Sequence, residues 1–79
     1  MKDHASARFP LLNPAEMERL EAQVQTRLNG RIRRFALRLG ACGLVLTGQA
    51  RTYYDKQLAQ HAVMEATALP ILANEIEVC

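Results

Sequence analysis

Gly43-Leu44-Val45-Leu46-Thr47-Gly48-Gln49-Ala50 is the stretch of sequence that decides the fold. It is short, apolar and bracketed by glycines, and its valine and threonine suit the pleated surface of a sheet. A run of this length is too short for a stable helix, so it predicts a buried strand. Gly48, within or just after this strand, predicts a bulge or a close approach of another backbone.

A first helix is predicted before this strand, over residues 14–29. Asn13, Pro14 and Glu16 form a capping-box arrangement, in which the asparagine accepts a backbone N–H and the glutamate reaches back. Apolar residues then recur at spacings of three and four, which is one helical stripe: Met17, Leu20, Val24 and Leu28. Asn29-Gly30 ends the helix with residues that tolerate positive φ.

A second helix is predicted after the strand, over residues 53–67. Thr52 is its N-cap, Asp55 follows three residues later, and Pro70 marks the exit of the chain. Its apolar stripe is rich in small residues, namely Leu58, Ala59, Ala62, Val63 and Ala66. Small side chains allow this helix to pack close to a sheet or to the first helix.

Two further strands are predicted from alternating patterns. Residues 31–39 alternate apolar side chains with Arg34, Ala36 and Arg38, which predicts a half-buried strand with a basic outer face. Gly40-Ala41-Cys42-Gly43 is the hairpin turn into the central strand. Residues 71–78 form the last strand, with one face made of Leu72, Asn74, Ile76 and Val78 and the other of Glu75 and Glu77.

These elements predict an α+β fold, a two-layer sandwich in the order helix–strand–strand–helix–strand. A small three-stranded sheet packs on one face against both helices. Residues 1–12 have no periodicity and are predicted to be a flexible N-terminal arm, and residues 13–79 to be the domain. The side chains expected to be mostly buried are Met17, Leu20, Val24, Phe35, Leu37, Leu46, Leu58, Val63, Ile76 and Val78.

Composition sets the class of protein. With 79 residues, 49% of them hydrophobic and only 5% aromatic, the chain is long enough for one small aliphatic core. No apolar run approaches the roughly 18 residues of a membrane-spanning helix. Residues 1–7 lack the apolar region of a signal peptide, so we expect a cytoplasmic location by default, or the cell envelope or periplasm if a signal was removed.

The sequence offers no catalytic constellation. His4 and His61 have no serine or cysteine partner at a readable spacing, and no phosphate-binding loop or dinucleotide fingerprint is present. Cys42 and Cys79 are expected to be unpaired thiols, and no Cys/His spacing supplies the roughly four ligands of a metal site. We therefore expect a protein that is not an enzyme and that has no metal or cofactor.

Arginines are the strongest functional signal in the sequence. Arg27, Arg31, Arg33, Arg34, Arg38 and Arg51 fall in one stretch without an intervening acidic residue. Guanidinium groups bind phosphate bidentately, and each basic residue near an anionic membrane surface contributes ~1 kcal/mol. Tyrosine has an apolar body and a polar tip that suit a lipid headgroup boundary. The predicted lipid- or anion-binding residues are therefore Arg31, Arg33, Arg34, Arg38, Arg51, Tyr53 and Tyr54.

A plainer interpretation of the same residues remains open. The arginines then form a solvated outer face of the sheet that also blunts edge pairing, and one of the two tyrosines packs at the start of its helix.

The turn supplies an alternative function. Gly40 and Gly43 have the GXXG spacing that RNA-binding KH domains use to approach a phosphate backbone. The loop has no Lys or Arg between its glycines, and it joins two strands whereas the KH loop joins two helices. A plain hairpin turn is the favoured interpretation, and a KH-like RNA-binding module is the alternative.

The chain from about Arg19 to Val78 resembles the BON domain family, a small bacterial module. The residues that carry the resemblance are Val45-Leu46-Thr47-Gly48, Tyr54-Asp55-Lys56 with Ala59 and Ala62, and Leu69, Leu72-Ala73-Asn74-Glu75-Ile76 and Val78. It implies structural motif positions at Gly43, Gly48 and Asn74.

The resemblance also implies a function. Such a module would be non-enzymatic and would bind anionic phospholipid surfaces of the bacterial envelope, or act as an adaptor in a larger envelope assembly. A further alternative is a self-associating protein-interaction domain that uses an open sheet edge.

Overall fold

A computed structural model describes residues 13–79, so the predicted arm at residues 1–12 lies outside the described residues. The described chain forms two helices and a mixed sheet of four strands that packs against them. In chain order the elements are α1 (Pro14–Leu28), β1 (Ile32–Leu39), β2 (Leu44–Ala50), α2 (Tyr53–Ala66), β3 (Ile71–Asn74) and β4 (Glu77–Val78). The predicted α+β class is confirmed.

Side-chain caps define both helix starts, as the sequence predicts. In α1 the Glu16 N–H donates to Asn13 Oδ1 at 2.8 Å, and the Asn13 N–H donates to Glu16 Oε1 at 3.0 Å. In α2 the Asp55 N–H donates to Thr52 Oγ1 at 3.0 Å. Each cap satisfies a backbone group that has no partner inside its helix, which is typically worth about 1 kcal/mol.

The decisive stretch, β2, lies at the centre of the sheet. β1 pairs with one side of it antiparallel, through the hairpin, and β3 and β4 pair parallel with the other side. Parallel neighbours need a crossover connection, and α2 provides it between β2 and β3. The burial of β2 follows from this position.

β3 and β4 are two halves of the single strand predicted over residues 71–78. Leu46 pairs with Asn74 and Gln49 pairs with Glu77, so both halves keep one register along β2. The prediction of an unbroken third strand is therefore wrong, and the sheet has four strands.

Asn74 explains the interruption. Its Oδ1 accepts a hydrogen bond from the Ile76 N–H at 3.2 Å, which turns the chain locally between the two halves. Its Nδ2 donates to the backbone oxygen of Lys56 at 3.1 Å and to Gln60 Oε1 at 3.3 Å. The side chain thus ties the break in the strand to α2.

One core joins both helices to one face of the sheet. The buried side chains that form it are Leu20, Val24, Leu28, Ile32, Phe35, Leu37, Leu44, Leu46, Ala50, Ala59, Ala62, Val63 and Ile76. Most of the predicted core is confirmed, with Met17 and Leu58 partly buried at its margin.

The predicted common face of Leu72, Ile76 and Val78 is wrong. Leu44 pairs with Ile71 while the next residue of β2 pairs with Ala73, so Leu72 is an extra residue of β3 and is exposed. Ile76 is 1% exposed, in the core, whereas Val78 is 45% exposed. A break and a register shift separate positions that simple alternation would put together.

β1 contains a bulge opposite Gly48. Arg33 pairs with Gln49 and Ala36 with Thr47, so two residues of β1 face one residue of β2. A Cβ atom on Gly48 would lie 3.1 Å from the backbone oxygen of Arg33 and 2.7 Å from the side chain of Ile32. The close approach predicted at Gly48 is confirmed.

The bulge places Arg34 in the left-handed region, with φ at 57°. We expect Arg34→Gly to raise the free energy of unfolding by about 0.5–1 kcal/mol, because glycine adopts this conformation without the Cβ penalty. Arg33 does not have a positive φ, so Arg33→Gly should lower the free energy of unfolding by a similar amount. Urea unfolding measures the stability of both variants. Equal destabilisation by the two variants would contradict a strained Arg34.

Candidate functional site

Three of the predicted arginines line one cleft at an end of the sheet. Arg31 precedes β1, Arg33 lies within it, and Arg51 follows β2 directly. The pairing of Ile32 with Ala50 brings the start of β1 beside the end of β2. The cleft has a volume of about 480 Å³ and is lined by Gly30, Arg31, Arg33, Arg51 and Asp55.

Asp55 adds a carboxylate to this cleft. It stands in the first turn of α2 and is 9% exposed, the one charged residue that is buried within residues 13–79. Arg31 Nη1 donates to Asp55 Oδ1 at 3.1 Å. The pair holds one guanidinium at the cleft wall, while half of the Arg31 side chain stays accessible to solvent.

The charges of the cleft favour an anion. Three guanidinium groups and one carboxylate give a formal charge of +2 at neutral pH. Guanidinium forks match the geometry of phosphate and carboxylate oxygens, and the bond from Arg31 to Asp55 leaves its remaining N–H donors available. The arrangement can therefore hold an anionic group against several fixed donors.

Both tyrosines lie in solvent beside the cleft. Tyr53 is 63% and Tyr54 66% exposed, at the start of α2, two and three residues after Arg51. The plainer interpretation, in which one of them packs at the helix start, is wrong. Large exposed aromatic side chains next to a cluster of cations are a feature of surfaces that meet a membrane interface or a partner.

The structure separates Arg38 from the cleft. Its Nη2 lies 3.7 Å from Glu75 Oε1, and it pairs with Val45, four residues along β2 from the partner of Arg33. At about 3.3 Å per residue, the two arginines are roughly 16 Å apart along β1. Arg34 stays beside Arg33 in the bulge, and both are exposed. From Arg34 onward the predicted alternation is confirmed, because Phe35 and Leu37 are buried while Arg34 and Arg38 are exposed and Ala36 is half-buried.

The hairpin turn at Gly40–Gly43 packs against the chain at Pro70 and is not open to a ligand. The Gly40 N–H donates to the backbone oxygen of Gly43 at 2.8 Å, which closes the hairpin. Gly43 is buried, and a Cβ atom added to it would lie 2.6 Å from the backbone oxygen of Pro70. A phosphate backbone has no access to that side of Gly43.

The two edges of the sheet differ. On β1 the Leu37 N–H donates to Glu21 Oε2 at 2.7 Å, and Gln25 Nε2 donates to the Phe35 oxygen at 3.1 Å. Side chains of α1 thus bond the backbone of β1. The opposite edge, formed by β3 and β4, carries the exposed Leu72 and Val78.

The remaining candidates make no further site. Cys42 and Cys79 are both exposed and unpaired. His61 Nε2 lies 3.0 Å from Glu65 Oε2, and Arg27 also pairs with this glutamate. Within residues 13–79, no three His, Cys, Asp or Glu side chains come close enough together to hold a metal ion.

Comparison with protein-family models, curated proteins and solved structures finds no match to this chain. Among the described residues, no helix is both long enough and apolar enough to cross a bilayer.

Proposed function

We propose that this chain is a non-enzymatic binding module of the BON type that attaches to anionic phospholipid surfaces of the bacterial envelope. The observation that carries the proposal is the exposure of both Tyr53 and Tyr54 beside the cleft of Arg31, Arg33 and Arg51. Cations would meet lipid phosphates there while the aromatic rings lie at the headgroup boundary. Within a larger envelope assembly, the same surface would orient the module on the membrane.

The expected attachment is weak and reversible. Each basic residue near an anionic surface contributes about 1 kcal/mol, so the cleft, with its formal charge of +2, gives roughly a thirtyfold enrichment at the surface. Arg34, next to Arg33 in the bulge, is exposed but does not line the cleft. Charge attraction of this kind is screened over about 10 Å at 0.1 M salt, so the binding should depend steeply on ionic strength.

The RNA-binding alternative has less support. A KH-type clamp needs both glycines of its loop to face the phosphates, and Gly43 is instead buried against Pro70. Self-association is supported by one observation, the exposed Leu72 and Val78 on the β3–β4 edge. Sedimentation velocity over a range of protein concentrations tests that alternative directly.

Vesicle co-sedimentation tests the proposed function. We expect the protein to bind vesicles that contain phosphatidylglycerol and not vesicles of phosphatidylcholine alone, with binding lost as salt rises. The double variant Arg33→Glu, Arg51→Glu should lose this binding, because it reverses two charges at the cleft.

A matched control has the same net charge as the Arg33→Glu, Arg51→Glu variant. Arg27→Glu combined with Arg38→Glu makes the same change in charge at residues outside the cleft. It should retain most of the binding. Equal binding to both kinds of vesicle, or equal losses in the two double variants, would refute the proposed surface.

A further inference from the structure

We infer that the cleft is a discrete site for a single phosphate group and that it prefers a phosphomonoester to a phosphodiester. The inference deepens the proposed function, and rests on it for the choice of this cleft as the anion-binding surface. It adds that the arginines act through fixed donor geometry and not only through their summed charge.

Three arginines converge on the cleft. Arg31, Arg33 and Arg51 reach one cleft from three positions in the chain, and the pairing of Ile32 with Ala50 brings the backbone at these positions together. The bond from Arg31 Nη1 to Asp55 Oδ1 fixes one guanidinium further. The Arg31 guanidinium, held before the ligand arrives, loses less side-chain freedom on binding, which favours a localised ligand over a diffuse layer of anions.

The charge of the cleft matches that of a phosphomonoester. The three guanidinium groups and the Asp55 carboxylate leave a formal charge of +2. A phosphomonoester carries about −1.5 to −2 at neutral pH, whereas a diester carries a single charge. Only the monoester neutralises the cleft, and it offers three terminal oxygens to three arginines where the diester offers two.

The cleft is also large enough for a small phosphate ester. A volume of about 480 Å³ lies within the range of roughly 300–1,000 Å³ that is common for small-molecule sites. A phosphate group with the first atoms of its ester substituent therefore fits. The substituent can be the glycerol of a lipid or a soluble alcohol, since the groups that line the cleft recognise the phosphate.

Charge-conserving variants separate this inference from the proposed function. Arg33→Lys keeps the charge and loses the guanidinium fork, so it should weaken binding of methyl phosphate about tenfold or more. Arg38→Lys is the matched control on the same strand, outside the cleft, and should leave the affinity unchanged. Isothermal titration of the full chain with methyl phosphate and with dimethyl phosphate measures both effects.

We expect methyl phosphate to bind at least about tenfold more tightly than dimethyl phosphate, because the second charge and the third oxygen each add to the interaction. Equal affinities for the two esters, or equal effects of Arg33→Lys and Arg38→Lys, would overturn the inference. Salt-dependent binding to phosphatidylglycerol vesicles would then still support the proposed function.

Vesicles distinguish the two sources of the phosphate. Stronger binding to phosphatidic acid than to phosphatidylglycerol, in competition with methyl phosphate, identifies a lipid headgroup in the cleft. Binding of methyl phosphate without binding to either vesicle leaves the cleft as a site for a soluble phosphomonoester and refutes the proposed function alone.

Discussion

Ile76→Ala is expected to lower the free energy of unfolding by about 3–4 kcal/mol, the largest effect of any single substitution considered. Ile76 is 1% exposed and fills the core between β3 and β4, where it is among the largest fully buried side chains. Its replacement removes most of an apolar side chain and leaves a cavity. A domain of this size has a free energy of unfolding of roughly 5–10 kcal/mol, so the variant should unfold at a low concentration of denaturant.

Val78→Ala is the matched control, two residues along the chain. Val78 is 45% exposed, so its truncation should change the free energy of unfolding by less than about 0.5 kcal/mol. Urea unfolding of both variants gives the comparison. Similar losses for the two variants would contradict the break between β3 and β4.

Gly43→Ala is expected to lower the free energy of unfolding by about 2–3 kcal/mol. A Cβ atom at this position would lie 2.6 Å from the Pro70 oxygen and 3.3 Å from the Leu72 nitrogen, and both are backbone atoms. The Leu44 N–H donates to the same Pro70 oxygen at 2.8 Å, so the first bond between β2 and the chain entering β3 would be disturbed. β3 would have to move away from β2.

Gly40→Ala separates this effect from a general loss of flexibility in the turn. The Cβ atom would lie 3.4 Å from the Gly43 oxygen and 3.6 Å from Leu72 Cδ2, which the turn can accommodate. We expect a change within about 0.5 kcal/mol in thermal or urea unfolding. If Gly43→Ala and Gly40→Ala leave the stability unchanged and both reduce binding to single-stranded RNA, the result would favour the KH-like alternative.

The helices could be predicted closely because their signals are local. The pairing of Asn13 with Glu16, and of Thr52 with Asp55, acts across three residues and is readable without tertiary contacts. The central strand was readable for a similar reason, since its composition alone marks it as buried.

The last strand could not be predicted in full because alternating apolar residues hide its break. The turn at Asn74 is local, from its side chain to the Ile76 N–H, but its anchoring to Lys56, 18 residues earlier, has no local signature in the sequence. The extra residue at Leu72 depends equally on the register along β2. Alternation of apolar residues assumes an unbroken ladder, so it placed Leu72 and Val78 on the core face.

The sequence identifies the arginines of the candidate site but not which of them lie together. Composition singled out the arginines, but only the register of Arg33 on Gln49 shows that Arg51 belongs with Arg33 and that Arg38 does not. Asp55 was read as part of a helix start, and its bond to Arg31 across 24 residues was missed. An acidic residue in the first turn is ordinary in a helix, so nothing local in the sequence marked Asp55 as the partner of Arg31.

The most direct test of the central claim is amide NMR of the full chain, titrated with bicelles that contain phosphatidylglycerol. We expect shift changes to concentrate at residues 30–34 and 51–55, which include the cleft residues and the exposed tyrosines, and to diminish as salt rises. Changes centred on residues 40–43, or on Leu72 and Val78, with the cleft unperturbed, would contradict it.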